Sequence, residues 1–124
     1  LITCIASIGK NAILRNDGAC NQQINAVIPN KEHNVDFLYY FFENAKQYLL
    51  AHAGITATNI ISKQEFSVIQ FGVPKLPEQT AIANVLCDID SEIELLESQL
   101  EKYKNIKQGT MQNLLTGKIR LIKK

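Results

Sequence analysis

At 124 residues, with 46% hydrophobic and 20% charged residues, the chain has room for one self-sufficient core and an appendage but not for two independent domains. That composition excludes wholesale disorder. A formal net charge of +1 excludes a protein that holds nucleic acid by bulk electrostatics, so any such contact must be local. Every apolar run is interrupted by Lys, Asn, Glu or Gln short of the roughly 18 residues a membrane span needs, which predicts a soluble cytoplasmic protein. Leu1 opens directly into a strand-like run without an initiator methionine or leader, and the chain is expected to be a piece of a longer polypeptide. Cys4, Cys20 and Cys87 are odd in number and lack C-x-x-C spacing, so neither a disulfide framework nor a zinc site is expected. They read as buried or idle thiols.

Ile2 to Ile8 and Asn11 to Arg15 alternate apolar with small or polar residues around Ser7-Ile8-Gly9-Lys10, predicting two short strands and a turn. Gln23 to Ile28 reads as a third strand, ended by Pro29-Asn30-Lys31. The period then changes: Leu38, Phe41, Phe42, Ala45, Tyr48, Leu49 and His52 fall at helical spacing, with Asn34 placed to cap the helix and Gly54 just past its end. Ile55 to Ile61 lacks a period and reads as an exposed loop. A short turn over Ser62 to Phe66 and a strand through Val73 follow. Pro74-Lys75-Leu76-Pro77 stiffens the connection and marks the expected domain boundary, with residues 1–76 forming a small α+β domain and 77–124 a helix and short tail.

From Pro77 through Leu115 no further proline occurs and Gly109 is the lone breaker, which predicts one helix of about 38 residues. Ile82, Leu86, Ile89, Ile93, Leu96, Leu100 and Tyr103 are spaced 4, 3, 4, 3, 4, 3, the repeat of a coiled-coil seam. Beyond Tyr103 the register slips through Ile106 and Met111 to Leu114, and Thr116-Gly117 stops the helix before a short terminal strand over Lys118 to Ile122. A compact domain of this size cannot cover so long a stripe, so a partner helix is expected. From Asp88 to Glu101 there are six acidic residues and no basic one, whereas from Lys102 onward there are seven basic residues and no acidic one. Antiparallel pairing with a second copy, or with an equivalent helix, relieves the repulsion within each block. The plainer alternative is a solvated charged face.

Candidate chemistry is sparse. Ser7-Ile8-Gly9-Lys10 lacks the spacing of a phosphate loop and reads as a tight turn. His33 and His52 are 19 positions apart without carboxylates at ligand spacing, so no metal is expected, and His52 reads as a core or helix-end residue. No orienting group accompanies Cys4 or Cys20, and no catalytic residue is assigned. Phe37, Tyr39, Tyr40, Phe41 and Phe42 could stack bases, but this spacing on an amphipathic helix suits a core, with Tyr39 the exposed member. Asn21, Gln22 and Gln23 in one connection and Thr56, Thr58 and Asn59 in another have the hydrogen-bonding groups that read base edges. Lys10, Arg15 and Lys63 could neutralise phosphates. Taken alone, such loops equally well face water.

Val73 with Pro74-Lys75-Leu76-Pro77-Glu78-Gln79, Ile82-Ala83-Asn84-Val85-Leu86 and Asp88-Ile89-Asp90 form a long signature. It continues through Leu100 to Gly109 and ends in Leu114-Leu115-Thr116-Gly117-Lys118-Ile119-Arg120-Leu121. This resembles the C-terminal conserved spacer of the specificity subunits of type I restriction-modification systems. Ser7 to Lys10, Asn21 to Gln23 and Gly54 to Thr56 with Asn59-Ile60 resemble the second half of a target-recognition domain. The resemblance implies a cofactor-free, non-catalytic chain that reads one half-site of double-stranded DNA. Two spacer helices would lie antiparallel and set the half-site gap, while modification subunits methylate adenine and restriction subunits, contacted indirectly, cut DNA. In keeping with this, the chain has no Asn-Pro-Pro-aromatic motif. Only one recognition unit, without its front part, and one spacer are represented. The rival reading is a coiled-coil dimerisation module that does not touch DNA, and a hydrolase ranks third.

Overall fold

The computed structural model describes residues 1–5, 7–53 and 60–122. The order of elements is β1 (Ile2–Thr3), β2 (Ile24–Asn25), α1 (Val35–Asn44), α2 (Lys46–Ala51), α3 (Lys63–Val68) and α4 (Leu76–Leu115). It is an α+β arrangement with one long C-terminal helix. The chain groups into two compact units, Leu1–Leu86 and Cys87–Lys124.

In the first unit β1 pairs antiparallel with β2, with Ile2 opposite Asn25 and Thr3 opposite Ile24. Successive residues of a strand aim their backbone groups at opposite edges. Thr3 accordingly donates to the Lys10 carbonyl (2.8 Å) and accepts from Gly9 N–H, whereas Cys4 donates to the Gln23 carbonyl (3.1 Å) and accepts from Ile61 N–H (2.9 Å). Gly9 makes the turn possible. Its φ is +83°, and a Cβ there would lie 2.8 Å from Cγ of Lys46.

The expected strands are shorter than the alternation suggested. The Asn11 to Arg15 run reduces to a single bridge between Asn11 and Ile2. Its side chains are held by α1 instead: Asn11 donates to Glu43 (3.0 Å) and Arg15 to Asp36 (2.6 Å). Of the Gln23 to Ile28 strand only Ile24–Asn25 forms.

Asn34 caps α1 as its position predicted, accepting the N–H of Phe37 at 2.9 Å. The helix expected to run on past Tyr48 is broken at Ala45, whose ψ of 5° is far from the helical value of about −42°. The break falls where Gly9 abuts Lys46. Ile2, Cys4, Ile8, Phe42, Leu49 and Ile61 form the core, with Leu38, Phe41, Phe66 and Phe71 packed around it. Phe71 meets Phe41 and Phe42 edge-on at centroid distances of 5.3 and 5.6 Å. Phe41 and Phe42 are thus core material, Phe37 is buried, and Tyr39 is half-buried rather than exposed. His52 follows α2 in an exposed position, its ring tilted 52° against that of Tyr48 and its Nδ1 2.8 Å from the Tyr48 carbonyl oxygen.

Most of the expected Ile55 to Ile61 loop lies outside the described residues. Ile61 itself belongs to the core, and Ile60 bridges to Ile5. The turn and strand expected over Ser62 to Val73 are instead helix α3 followed by non-strand chain. Ser62 accepts from the Glu65 N–H while the Glu65 carboxylate accepts from the Ser62 N–H, a reciprocal cap that starts a helix.

α4 begins one residue before Pro77 and runs 40 residues to Leu115 without interruption at Gly109, about 60 Å at 1.5 Å per residue. Its first turns belong to the first unit. Gln79 is only 1% exposed. Its side-chain carbonyl accepts the Asn34 N–H (2.9 Å), and its amide nitrogen donates to the carbonyls of Pro74 (2.8 Å) and Glu32 (3.3 Å). In the second unit Gly117, with φ of +72°, turns the chain so that Ile119 N–H reaches the Asn113 carbonyl (3.1 Å). That return over the helix end replaces the expected terminal strand.

Candidate functional site

Two sets of residues carry the candidate functions, polar groups around β1 and apolar groups along α4. Because β1 is hydrogen-bonded on both edges, it brings together segments distant in sequence. Gln23 and Ile61 both bond to Cys4, so the Asn21–Gln23 connection and the start of the Lys63 segment adjoin the same short strand. Asn21, Gln22, Gln23 and Lys63 are all exposed there. The Asn21 side chain accepts the Gln23 N–H (3.0 Å) and so is engaged in shaping its own turn. Gln22 and Gln23 are the amides of this turn left pointing into solvent. Lys10 is exposed on the turn at the opposite edge of β1.

Arg15, a candidate phosphate contact, is paired with a carboxylate. Its guanidinium bonds Asp36 in the first turn of α1, both groups remaining partly solvated. A pair of this kind contributes at most about 1 kcal/mol and can be exchanged for another anion. Thr56, Thr58 and Asn59 lie outside the described residues. Cys4, buried beside β2, has its thiol pKa pushed above the ordinary 9.0 by desolvation, against the opposing effect of hydrogen bonding to Asn25. It is therefore protonated and unreactive at neutral pH. Among the described residues no group of three His, Cys, Asp or Glu side chains could hold a metal ion. No helix among them is long and apolar enough to cross a membrane.

The second set is open to solvent. Ile82, Ile89, Ile93, Leu96, Leu100 and Tyr103 are exposed apolar residues on α4, Tyr103 at 66%. Leu86 is half-buried. Neighbouring Gln79 and Ala83 are the buried positions of the helix. Gln79 and Leu86, seven residues apart, share the frame of the heptad repeat, so the row is partly buried at its start and exposed from Ile89 onward.

Sequence reasoning used Gln79 only as part of a signature and assigned its side chain nothing. A polar residue at helical spacing with Ala83 was the available signal, one that a hydropathy pattern reads as solvent-facing. Asp36 as counter-charge to Arg15, 21 positions away, left no signal in the sequence at all.

A family model described as the type I restriction modification DNA specificity domain matches residues 1–107. Over 98 residues the chain is 34% identical to a protein of Methanocaldococcus jannaschii assigned as the MjaX type I restriction enzyme specificity subunit. The match covers 77% of the chain and 23% of that protein, so the chain spans about a quarter of its relative's length. No solved structure matches the chain.

Proposed function

Because the chain belongs to the type I restriction modification DNA specificity family, we propose that it reads one half of a divided DNA site and sets the distance to the other half through an antiparallel pair of α4 helices. The observation that carries the pairing is the exposed heptad row on an unbroken 40-residue helix, with acidic residues along one stretch and basic residues along the next. Asn21, Gln22, Gln23, Thr56, Thr58 and Asn59 are the candidate base-reading groups, and Lys10, Arg15 and Lys63 the candidate phosphate contacts. Residues 1–76 supply recognition and residues 77–124 the spacer. Methylation and cleavage belong to modification and restriction subunits recruited to the assembly, and this chain carries neither reaction.

Charge and heptad position together select a register. An antiparallel pair sets each residue of one heptad class against one of the other class, so allowed registers differ by seven residues. In the favoured one Leu96 faces Leu100 of the second copy, Ile93 faces Tyr103, and Asp90 flanks Lys104, each contact occurring twice by symmetry. Gln99 meets Gln99 on one edge of the two-fold axis and Glu97 meets Glu97 on the other, one like-charge contact against two attractive ones. Sliding seven residues one way sets Asp90 against Glu97 twice. Sliding the other way sets Leu96 and Ile93 against the stretch beyond Tyr103, where the repeat slips.

DNA reading is tested by fluorescence anisotropy of labelled duplex over a salt series. Binding that weakens linearly in log–log form as salt rises supports it, because phosphate contacts release counterions. A dimer that binds no duplex at low salt supports the alternative, a helix-pairing module without DNA contact.

A further inference from the structure

We infer that Gln79 is a positioning residue that fixes the angle at which the spacer helix leaves the recognition domain. Three observations support this. Gln79 is almost wholly buried although it lies in the first turns of a largely exposed helix. Its side chain is fully used: the carbonyl oxygen takes the Asn34 N–H, and the amide gives to the Glu32 and Pro74 carbonyls. Those partners belong to separate pieces of structure. Asn34 is the cap of α1, holding the Phe37 N–H with its own side chain. Glu32 lies in the loop that precedes it, and Pro74 in the segment that leads into α4.

The geometry works as a three-point latch. Apolar packing is non-directional and lets a helix roll or tilt over its neighbour. Hydrogen bonds to fixed backbone groups do not, because they fail beyond a few tenths of an ångström and outside a narrow angle. Ala83, one turn on and 2% exposed, supplies apolar contact but no direction. Gln79 is therefore the side chain that converts contact into orientation. With Asn34 bonding Phe37 and Gln79 bonding Asn34, the start of α1 and the start of α4 are locked through one residue. The consequence for half-site spacing rests on the DNA reading proposed above: a ruler measures a gap only if its end is rigidly mounted.

The test places nitroxide labels at Asn44 on α1 and Asn84 on α4, both exposed, in a Cys20→Ser, Cys87→Ser chain diluted into excess unlabelled chain. Pulsed electron–electron double resonance then reads intrachain distances, with circular dichroism of the same samples reporting folding. The unsubstituted chain should give a single narrow peak, and Gln79→Leu, which keeps the apolar contact, should lose it while the folding signal persists. Should Gln79→Leu unfold the first unit, Gln79→Glu decides the matter. It preserves size and can still accept the Asn34 N–H, but its carboxylate cannot donate to two carbonyls, so the single peak should again be lost. A broad distribution in the unsubstituted chain, or a narrow one in a folded Gln79→Leu or Gln79→Glu chain, overturns the inference. No DNA enters this measurement, so failure of DNA binding would leave the latch standing and failure of the latch would leave DNA binding standing.

Discussion

Replacing Leu96 by aspartate isolates helix pairing from folding. In the single chain Leu96 is 53% exposed, on a helix surface where a polar substitution shifts stability by no more than about 0.5 kcal/mol. Complete burial of a leucine is worth about 1.5–3 kcal/mol, so covering the exposed half contributes on the order of 1 kcal/mol per copy and about 2 kcal/mol per pair. Aspartate forfeits that and sets a carboxylate beside Glu97 and against Leu100 of the second copy, with no cation in reach; even partial desolvation adds a few kcal/mol. A loss of about 4 kcal/mol or more corresponds to at least about a thousandfold in Kd. Light scattering over a concentration series should give twice the chain mass for the unsubstituted protein and the single mass for Leu96→Asp, with unchanged helical circular dichroism. The register is read separately by Gln99→Cys, which should form a disulfide-linked dimer on mild oxidation. Equal masses for the two proteins, or a cysteine at 99 that crosslinks only to one introduced at Glu92 or Ile106, would refute the reasoning.

Three further outcomes follow from the first unit. Ile61→Ala opens a cavity beneath β1, where Ile61 is 2% exposed, and should cost about 2–5 kcal/mol, seen as a lower thermal midpoint for that unit. A thiol reagent should modify exposed Cys20 rapidly in the folded protein and Cys4 only after denaturation, a difference in rate that a single-phase time course would contradict. Hydrogen bonds from the Ser62 backbone and side chain lower the Glu65 pKa below its ordinary 4.5. Its cap therefore stabilises α3 fully above the unfolded value and loses that contribution as pH falls through the folded one. Acid titration followed by amide exchange should show α3 loosening in that window, and Glu65→Gln should remove the dependence.

Elements governed by local chemistry were legible, and those governed by tertiary contact were not. The span of α4 could be read because it needed only Pro77 at its start, a breaker-poor interior and Thr116-Gly117 at its end. Asn34 was readable as a cap for the same reason. The strands were overestimated because alternation at Asn11 to Arg15 is also produced by side chains reaching to Glu43 and Asp36 on α1. α3 is the exception: it carried a local signal in plain view, Ser62 followed by Glu65, yet reads from the sequence as a short turn before a strand. The helix break at Ala45 was invisible, since it occurs where Gly9 meets Lys46, 37 residues away. For the candidate site, the heptad row was evident from spacing alone. The juxtaposition of Gln23 and Ile61 on one strand, and the burial of Gln79, required the fold.

Gly109 gives α4 a mechanical property that its unbroken helical span conceals. A Cβ there would meet nothing within 4 Å, so no packing requirement explains the glycine. Within a helix it costs about 1 kcal/mol relative to alanine. That deficit is concentrated at one joint, with Thr110 to Leu115 beyond it. Thermal unravelling that starts at the C-terminal turn meets a weak link there and then the more cohesive turns before it. The helix thus behaves as a stiff beam with a compliant tip, able to lose its last turns or bend them to a neighbour while the central span keeps its length. Gly109→Ala would stiffen the tip without a steric penalty.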